Sequence, residues 1–168
     1  MAETWEKVAT ISNTSLTALL ALTLAENDAI KLDSALSADG KYNGITRTGT
    51  AGTNLAFGDC VYFAVADSKW ELAKADAEAT TKCLLGICVS ATINENSAGN
   101  ILLIGVVRAD TAFPSFTVGA PVFIDPDTAG DLTSVAPDGA GECIRAVGQA
   151  ITANDIWFCP SPDWFEHA

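Results

Sequence analysis

The feature that most constrains this chain is an internal repeat. Gly58-Asp59-Cys60-Val61-Tyr62-Phe63 is answered by Gly119-Ala120-Pro121-Val122-Phe123-Ile124. Glu71-Leu72-Ala73 is answered by Asp131-Leu132-Thr133, Leu85-Gly86 by Val147-Gly148, and Asn100-Ile101-Leu102-Leu103 by Asp155-Ile156-Trp157-Phe158. The offsets are 61, 60, 62 and 55 residues, so order and spacing persist and the slack falls between the matches. Each matched piece is short, β-branched or aromatic, and bounded by Gly, Asp, Asn or Pro. A doubled block of such strands predicts an all-β fold: a compact β-barrel or sandwich built from two similar halves.

The chain divides into four stretches. Residues 1–36 read as an N-terminal arm followed by a strand or hairpin segment. Leu16–Ala25 and Ala29–Leu36 are strand-like runs around the turn-forming Glu26-Asn27-Asp28. A helix over 16–25, capped by Asn13 or Ser15, competes with the first of these strands. Residues 37–56 carry four glycines among Ser, Thr, Asn and Ala, and read as a loop or linker with room for a short extended edge. Residues 57–159 hold the duplicated β body, in which Ala75–Lys82 is Ala-rich enough for one helical turn. Residues 160–168 form a strap containing Pro160 and Pro162. Gly58 and Gly119, each before a strand, are expected in left-handed or bulged backbone. Gly86 and Gly148, inside strands, are expected where a neighbouring strand approaches closely.

Composition narrows the function. Of 168 residues 49% are hydrophobic and 18% charged, with a net charge of −12 and a mean hydropathy of +0.26. Apolar surface in excess of what charge can solvate suggests cover by partners. Lys and Arg never cluster, which argues against direct contact with nucleic acid. Residues 101–168 carry nine Asp/Glu against Arg108 and Arg145. Leu16–Ala25 is too short to span a bilayer and lacks the basic start of a signal peptide, so no membrane role is expected.

Candidate chemistry is sparse. The five cysteines lack C-x-x-C spacing and read as small buried hydrophobes. His167, the sole imidazole, lies in the tail, so neither zinc nor a Ser-His or Cys-His pair is expected. Asp125-Pro126-Asp127-Thr128-Ala129-Gly130-Asp131 opens like a calcium loop, but Ala129 and Ala136 occupy positions that need ligands. Gly139-Ala140-Gly141 opens a strand with no lysine after it, unlike a phosphate loop. No catalytic residue, cofactor or metal is therefore expected. The aromatics remain: Trp70 at a barrel end, one of Trp157 and Phe158 facing the core, and Trp164 and Phe165 in the strap. The candidate interface residues are Trp5, Leu20, Leu22, Phe113, Phe116, Pro160, Pro162, Trp164 and Phe165. After two prolines the strap's aromatics need burial, against its own barrel or against a neighbour.

Several strings together resemble a family. Ile45-Thr46 through Leu55-Ala56-Phe57-Gly58-Asp59, Trp70-Glu71-Leu72-Ala73, Leu85-Gly86-Ile87 and Val107-Arg108-Ala109-Asp110-Thr111-Ala112-Phe113-Pro114 belong to it. So do Val118-Gly119-Ala120-Pro121-Val122 and the ending Asp155-Ile156-Trp157-Phe158-Cys159-Pro160-Ser161-Pro162-Asp163-Trp164. Over about residues 26–168 the chain resembles tailed-bacteriophage virion structural proteins of the head-decoration (cement) or fibre-associated kind. The resemblance implies a non-enzymatic β-barrel protein on the outer surface of a virion, made in the host cytoplasm. Its partners would be the major capsid protein and further copies of itself, with a trimer favoured. The alternative is a fibre-associated module that holds a host glycan on exposed aromatics.

Overall fold

The computed structural model describes residues 26–168, apart from Asp28 and Ser34. The expected strand at Leu16–Ala25 and the candidate contacts Trp5, Leu20 and Leu22 lie outside the described residues. Glu26 and Asn27 form a turn, with Asn27 at φ 71°. The second expected strand, Ala29–Leu36, is not one: its described residues are irregular. Asp33 Oδ1 accepts the Ala35 N–H at 3.4 Å, a local side-chain turn that competes with extended pairing. Leu32–Ala168 fold as a compact unit of their own.

That unit begins with β1 (Lys41–Thr50), β2 (Leu55–Ala56), β3 (Cys60–Phe63) and β4 (Trp70–Leu72). The single helical turn α1 (Glu78–Thr81) precedes β5 (Leu85–Cys88), β6 (Thr92–Ile93) and β7 (Ala98–Arg108). The second half supplies β8 (Pro121–Ile124), β9 (Leu132–Thr133), β10 (Cys143–Ile144), β11 (Ala146–Ala150), β12 (Asp155–Phe158) and β13 (Phe165–Glu166). The architecture is all-β, dominated by a strongly curled antiparallel sheet in the order β4-β3-β5-β7-β12-β11-β8-β9. β1 pairs with β7 outside this path.

The strand order is the repeat made visible. β3, β4, β5 and β7 of the first half answer β8, β9, β11 and β12 of the second, so the sheet reads the same from either end. The registers agree as well. Val61 faces Gly86 as Val122 faces Gly148, and Ile87 faces Leu102 as Gln149 faces Trp157. Even the loop bonds recur: Gly58 N–H donates to Cys88 O (2.9 Å) and Gly119 N–H to Ala150 O (2.8 Å). Both glycines have positive φ, 97° and 81°, as their place before a strand led one to expect. A side chain on Gly86 would collide with Ile101, and one on Gly148 with Trp157 O, so these two sit at close approaches. The ladders correct one alignment. Phe63 faces Trp70 and Ile124 faces Leu132, so Leu132 replaces Trp70 rather than Leu72. The two-residue shift keeps the same face.

The stretch 37–56 is not a loop. β1 pairs with β7 along ten residues, and β2 pairs with β6 as a small separate sheet. Gly44 lies directly opposite Gly105; both have positive φ, and a Cβ on either would collide with the facing backbone. Glycine content here permits contact between two strand backbones instead of marking a flexible link. The repeat accordingly starts at Gly44. Residues 44–63 align with 105–124 at a constant offset of 61, identical at Gly44/Gly105, Arg47/Arg108, Thr50/Thr111, Ala51/Ala112, Gly58/Gly119 and Val61/Val122. β7 is long because it closes one repeat and opens the next: its first part pairs with β5 and its second part with β12.

Side chains of the sheet feed two cores. Cys60, Leu85, Ile87, Leu102, Val107, Val122, Ile124, Val147, Ile156 and Phe158 enter the larger one. Val61, Cys88 and Ile101 enter a smaller one on the other side, with Leu55, Ile93 and Trp70. Neighbours such as Cys60 and Val61, or Ile101 and Leu102, thus part company, as the two-residue strand period requires. Trp70 does not merely cover a barrel end: it is fully buried, edge-on to Phe63 at 5.3 Å between ring centroids. The two outer hairpins are tied together. Cys60 N–H donates to Gly130 O and Gly130 N–H to Ala73 O, each at 2.7 Å, and Ala75 N–H to Asp125 O at 3.1 Å.

Candidate functional site

With the body tied in this way, the features left for contact lie at its periphery. The strap is held at two points. Ser161 N–H donates to Ala146 O at 2.9 Å; further on, β13 pairs with β10, and His167 N–H donates to Glu142 O at 2.7 Å. The strap therefore docks on its own body. Pro160 and Pro162, which have no N–H, flank Ser161, and no ladder forms between Pro160 and Trp164. Trp164 is half-buried, whereas Phe165 is 60% exposed, so docking on its own body leaves one of the two aromatics uncovered.

Arg145 fastens the strap. It is buried, and its guanidinium donates through Nε to Ser161 O (2.8 Å) and through Nη1 to Thr81 O and Cys83 O (2.8 Å for the latter). Three carbonyls and no carboxylate satisfy it. Burial pulls its pKa below the ordinary arginine value, yet a guanidinium stays charged throughout the range in which a protein folds. Its counterpart 62 residues earlier is Cys83, whose carbonyl it grips. Sequence reasoning passed over Arg145. The available signal was a cation inside an apolar strand run of an acidic half.

Phe113 and Phe116 are not available to a partner. They pack against each other at 5.7 Å in the larger core, and the loop that carries them is pinned by Phe116 N–H donating to Ala153 O. A loop rich in aromatics reads equally well as sticky or as anchored, and here it is anchored. The other edge feature is β1, which among the described residues pairs on one side only. It presents exposed Lys41, Ile45 and Arg47, the last with its guanidinium over the Phe63 ring at 5.4 Å.

The titratable groups are arranged for structure. Burial pushes the Cys60 thiol up to about 12 and that of Cys88 to about 11, far from a thiolate nucleophile. Cys60, Cys88 and Cys143 are buried, Cys83 half-buried and Cys159 exposed, so the buried-hydrophobe reading fits three of five. Asp125 Oδ1 accepts the N–H groups of Asp127 and Thr128 at 2.7 and 2.8 Å, a local side-chain-to-backbone turn. Among the described residues no three potential metal ligands converge, and no helix is long and apolar enough to cross a membrane. Asp59 caps the β2–β3 turn by accepting the Ala56 N–H at 2.7 Å; burial raises its pKa, and the neighbouring Asp131 charge adds to this.

One shallow groove of about 280 Å³ lies beside the strap, lined by Ala146, Gly148, Gln149, Trp157, Cys159 and Ser161. No known family model, curated protein or solved structure matches this chain.

Proposed function

We propose that this chain is a non-enzymatic virion protein of a tailed bacteriophage that decorates and cements the capsid. It binds the major capsid protein at junctions between capsomers, assembles with copies of itself, a trimer being favoured, and stabilises the shell from its outer surface. The observation that carries this reading is the division of labour in Leu32–Ala168. The repeated body is cross-tied between its outer hairpins, while the strand edge left unpaired among the described residues and the partly uncovered strap are peripheral. A rigid body with contact features at its rim suits a protein that works by occupying a junction. The test is to mix the purified chain with decoration-free capsids. Added density at capsomer junctions and a higher melting temperature of the shell are expected; no association would overturn the reading.

The groove beside the strap favours one alternative, a fibre-associated host-glycan module. Trp157 offers a partly exposed ring flanked by Gln149 and Ser161, the pairing of a stacking face with polar groups that sugars use. Saturable quenching of tryptophan fluorescence by a cell-surface polysaccharide, lost in Trp157→Ala, with no capsid affinity, would favour it over cementing.

A further inference from the structure

We propose that the outer edge of β1 is a docking site for a second copy of this chain, and that it receives that copy's strap strand β13 in a head-to-tail contact. This deepens the self-association proposed above and does not depend on the capsid.

The repeat itself marks the vacancy. Val106, in the second part of β7, faces Trp157 on one side and Asn43 on the other. In the first repeat the corresponding stretch of β1 pairs with β7 on one side and, among the described residues, with no strand on the other, where Asn43 Nδ2 donates to Asp33 O at 3.0 Å. An unpaired strand edge offers a row of N–H and C=O groups to an incoming strand.

Charge selects the occupant. Within Leu32–Ala168, Lys69, Lys74, Lys82 and Arg108 each have a carboxylate within 4.0 Å, and Arg145 is spent on three carbonyls. Lys41 and Arg47 have no carboxylate partner among the described residues; both lie on β1, which holds no acidic residue. In a chain of net charge −12, two such cations on one open edge call for an acidic strand. A second β1 is the wrong occupant, because antiparallel self-pairing sets two pairs of like cations along one ladder. β13 and its flanks fit: Asp163 and Glu166 are exposed and make no salt bridge among the described residues, and β13 pairs only with β10. Each side also contributes an exposed apolar residue, Ile45 at 64% and Phe165 at 60%. The contact leaves one donor strap and one acceptor edge at its two ends, so repetition closes a ring when the rotation permits.

The experiment is a charge swap followed by light-scattering mass. Wild type is expected to be oligomeric at low salt and to dissociate as salt screens the contact. K41E/R47E and D163K/E166K should each associate at least about tenfold more weakly, and a mixture of the two should regain mixed assembly. A monomeric wild type, an unchanged mass in either variant, or a mixture that stays monomeric while both variants melt like wild type would overturn the proposal. Should a reversal fail to fold, Ile45→Cys and Phe165→Cys in a Cys159→Ser background replace it. A mixed disulfide between the two is expected, and dominance of Ile45→Cys self-pairs would overturn it. Capsid binding by a monomeric wild type would sink this contact and leave the decoration reading standing, whereas a ring that ignores capsids would do the reverse.

Discussion

The two repeats are built to one plan and finished differently. In the second, the strand that opens the repeat is the latter part of β7, paired on both edges and buried at Val107. In the first, the opening strand is β1, which is exposed along most of its length and carries Lys41 and Arg47. The same backbone plan thus yields a strand paired on both edges and one that, among the described residues, is paired on one edge only. The difference arises because one strand lies in the middle of the chain and the other precedes the whole sheet.

The largest expected effect separates the two hairpins. Trp70→Ala should destabilise the fold by about 3–5 kcal/mol, and Leu132→Ala, its ladder equivalent, by about 2–4 kcal/mol, in chemical denaturation. Equal losses would show that Trp70, in the smaller core, contributes no more than the smaller side chain of Leu132, which packs in the larger one. Next comes Arg145→Met, which strips three carbonyls of their charged donor and should cost about 3 kcal/mol. It should also raise proteolytic cleavage at the strap, whereas Arg145→Lys should recover only part, since an ammonium cannot match the fork.

The Gly44–Gly105 junction offers a finer probe. Gly44→Ala and Gly105→Ala should each cost about 2 kcal/mol, through the facing backbone and the positive φ. The double variant should cost less than the sum, because one strand displacement relieves both collisions. Full additivity in a double-mutant cycle would mean that the repeats do not share this contact.

The smallest effect is on pH dependence. Asp59 has no acidic counterpart, since Ala120 occupies its place in the second repeat. Burial raises its folded pKa above the unfolded value, so ionisation opposes folding. The penalty is absent below about pH 4, the unfolded carboxylate range, and grows as pH rises through the folded value. Stability should therefore increase on acidification from neutrality toward that range, in the direction that discharge of a net −12 also favours. Asp59→Asn, which keeps an acceptor for Ala56 N–H, should flatten this slope in melting curves. An unchanged slope would assign it to the overall charge alone.

Much of the body was legible beforehand, because strand periodicity and repeat spacing are local quantities. The four matched blocks fall on β3/β8, β4/β9, β5/β11 and β7/β12, and the expected helical turn is α1. The opening of the repeat was equally written in the chain, in Gly44-Ile45-Thr46-Arg47 against Gly105-Val106-Val107-Arg108. It was hidden by a Gly- and Thr-rich composition that normally marks loops. Ala29–Leu36 misled in the opposite sense: apolar residues alternate there, but a strand needs a ladder partner and Asp33 turns the backbone instead.

The candidate contacts were less legible. Phe113 and Phe116 look like exposed anchors until the chain folds over them, whereas Phe165, expected to need cover, keeps most of its surface exposed.

Residue order alone therefore determined that this would be a doubled all-β unit, because alternation, turn residues and spacing act within a few positions. Tertiary structure decided which edge stayed open, which aromatics were enclosed and what Arg145 grips. These depend on which distant backbone arrives alongside: β7 beside β1, Asp125–Gly130 across from Cys60 and Ala73, and Ser161 above a guanidinium buried 16 residues earlier in the chain.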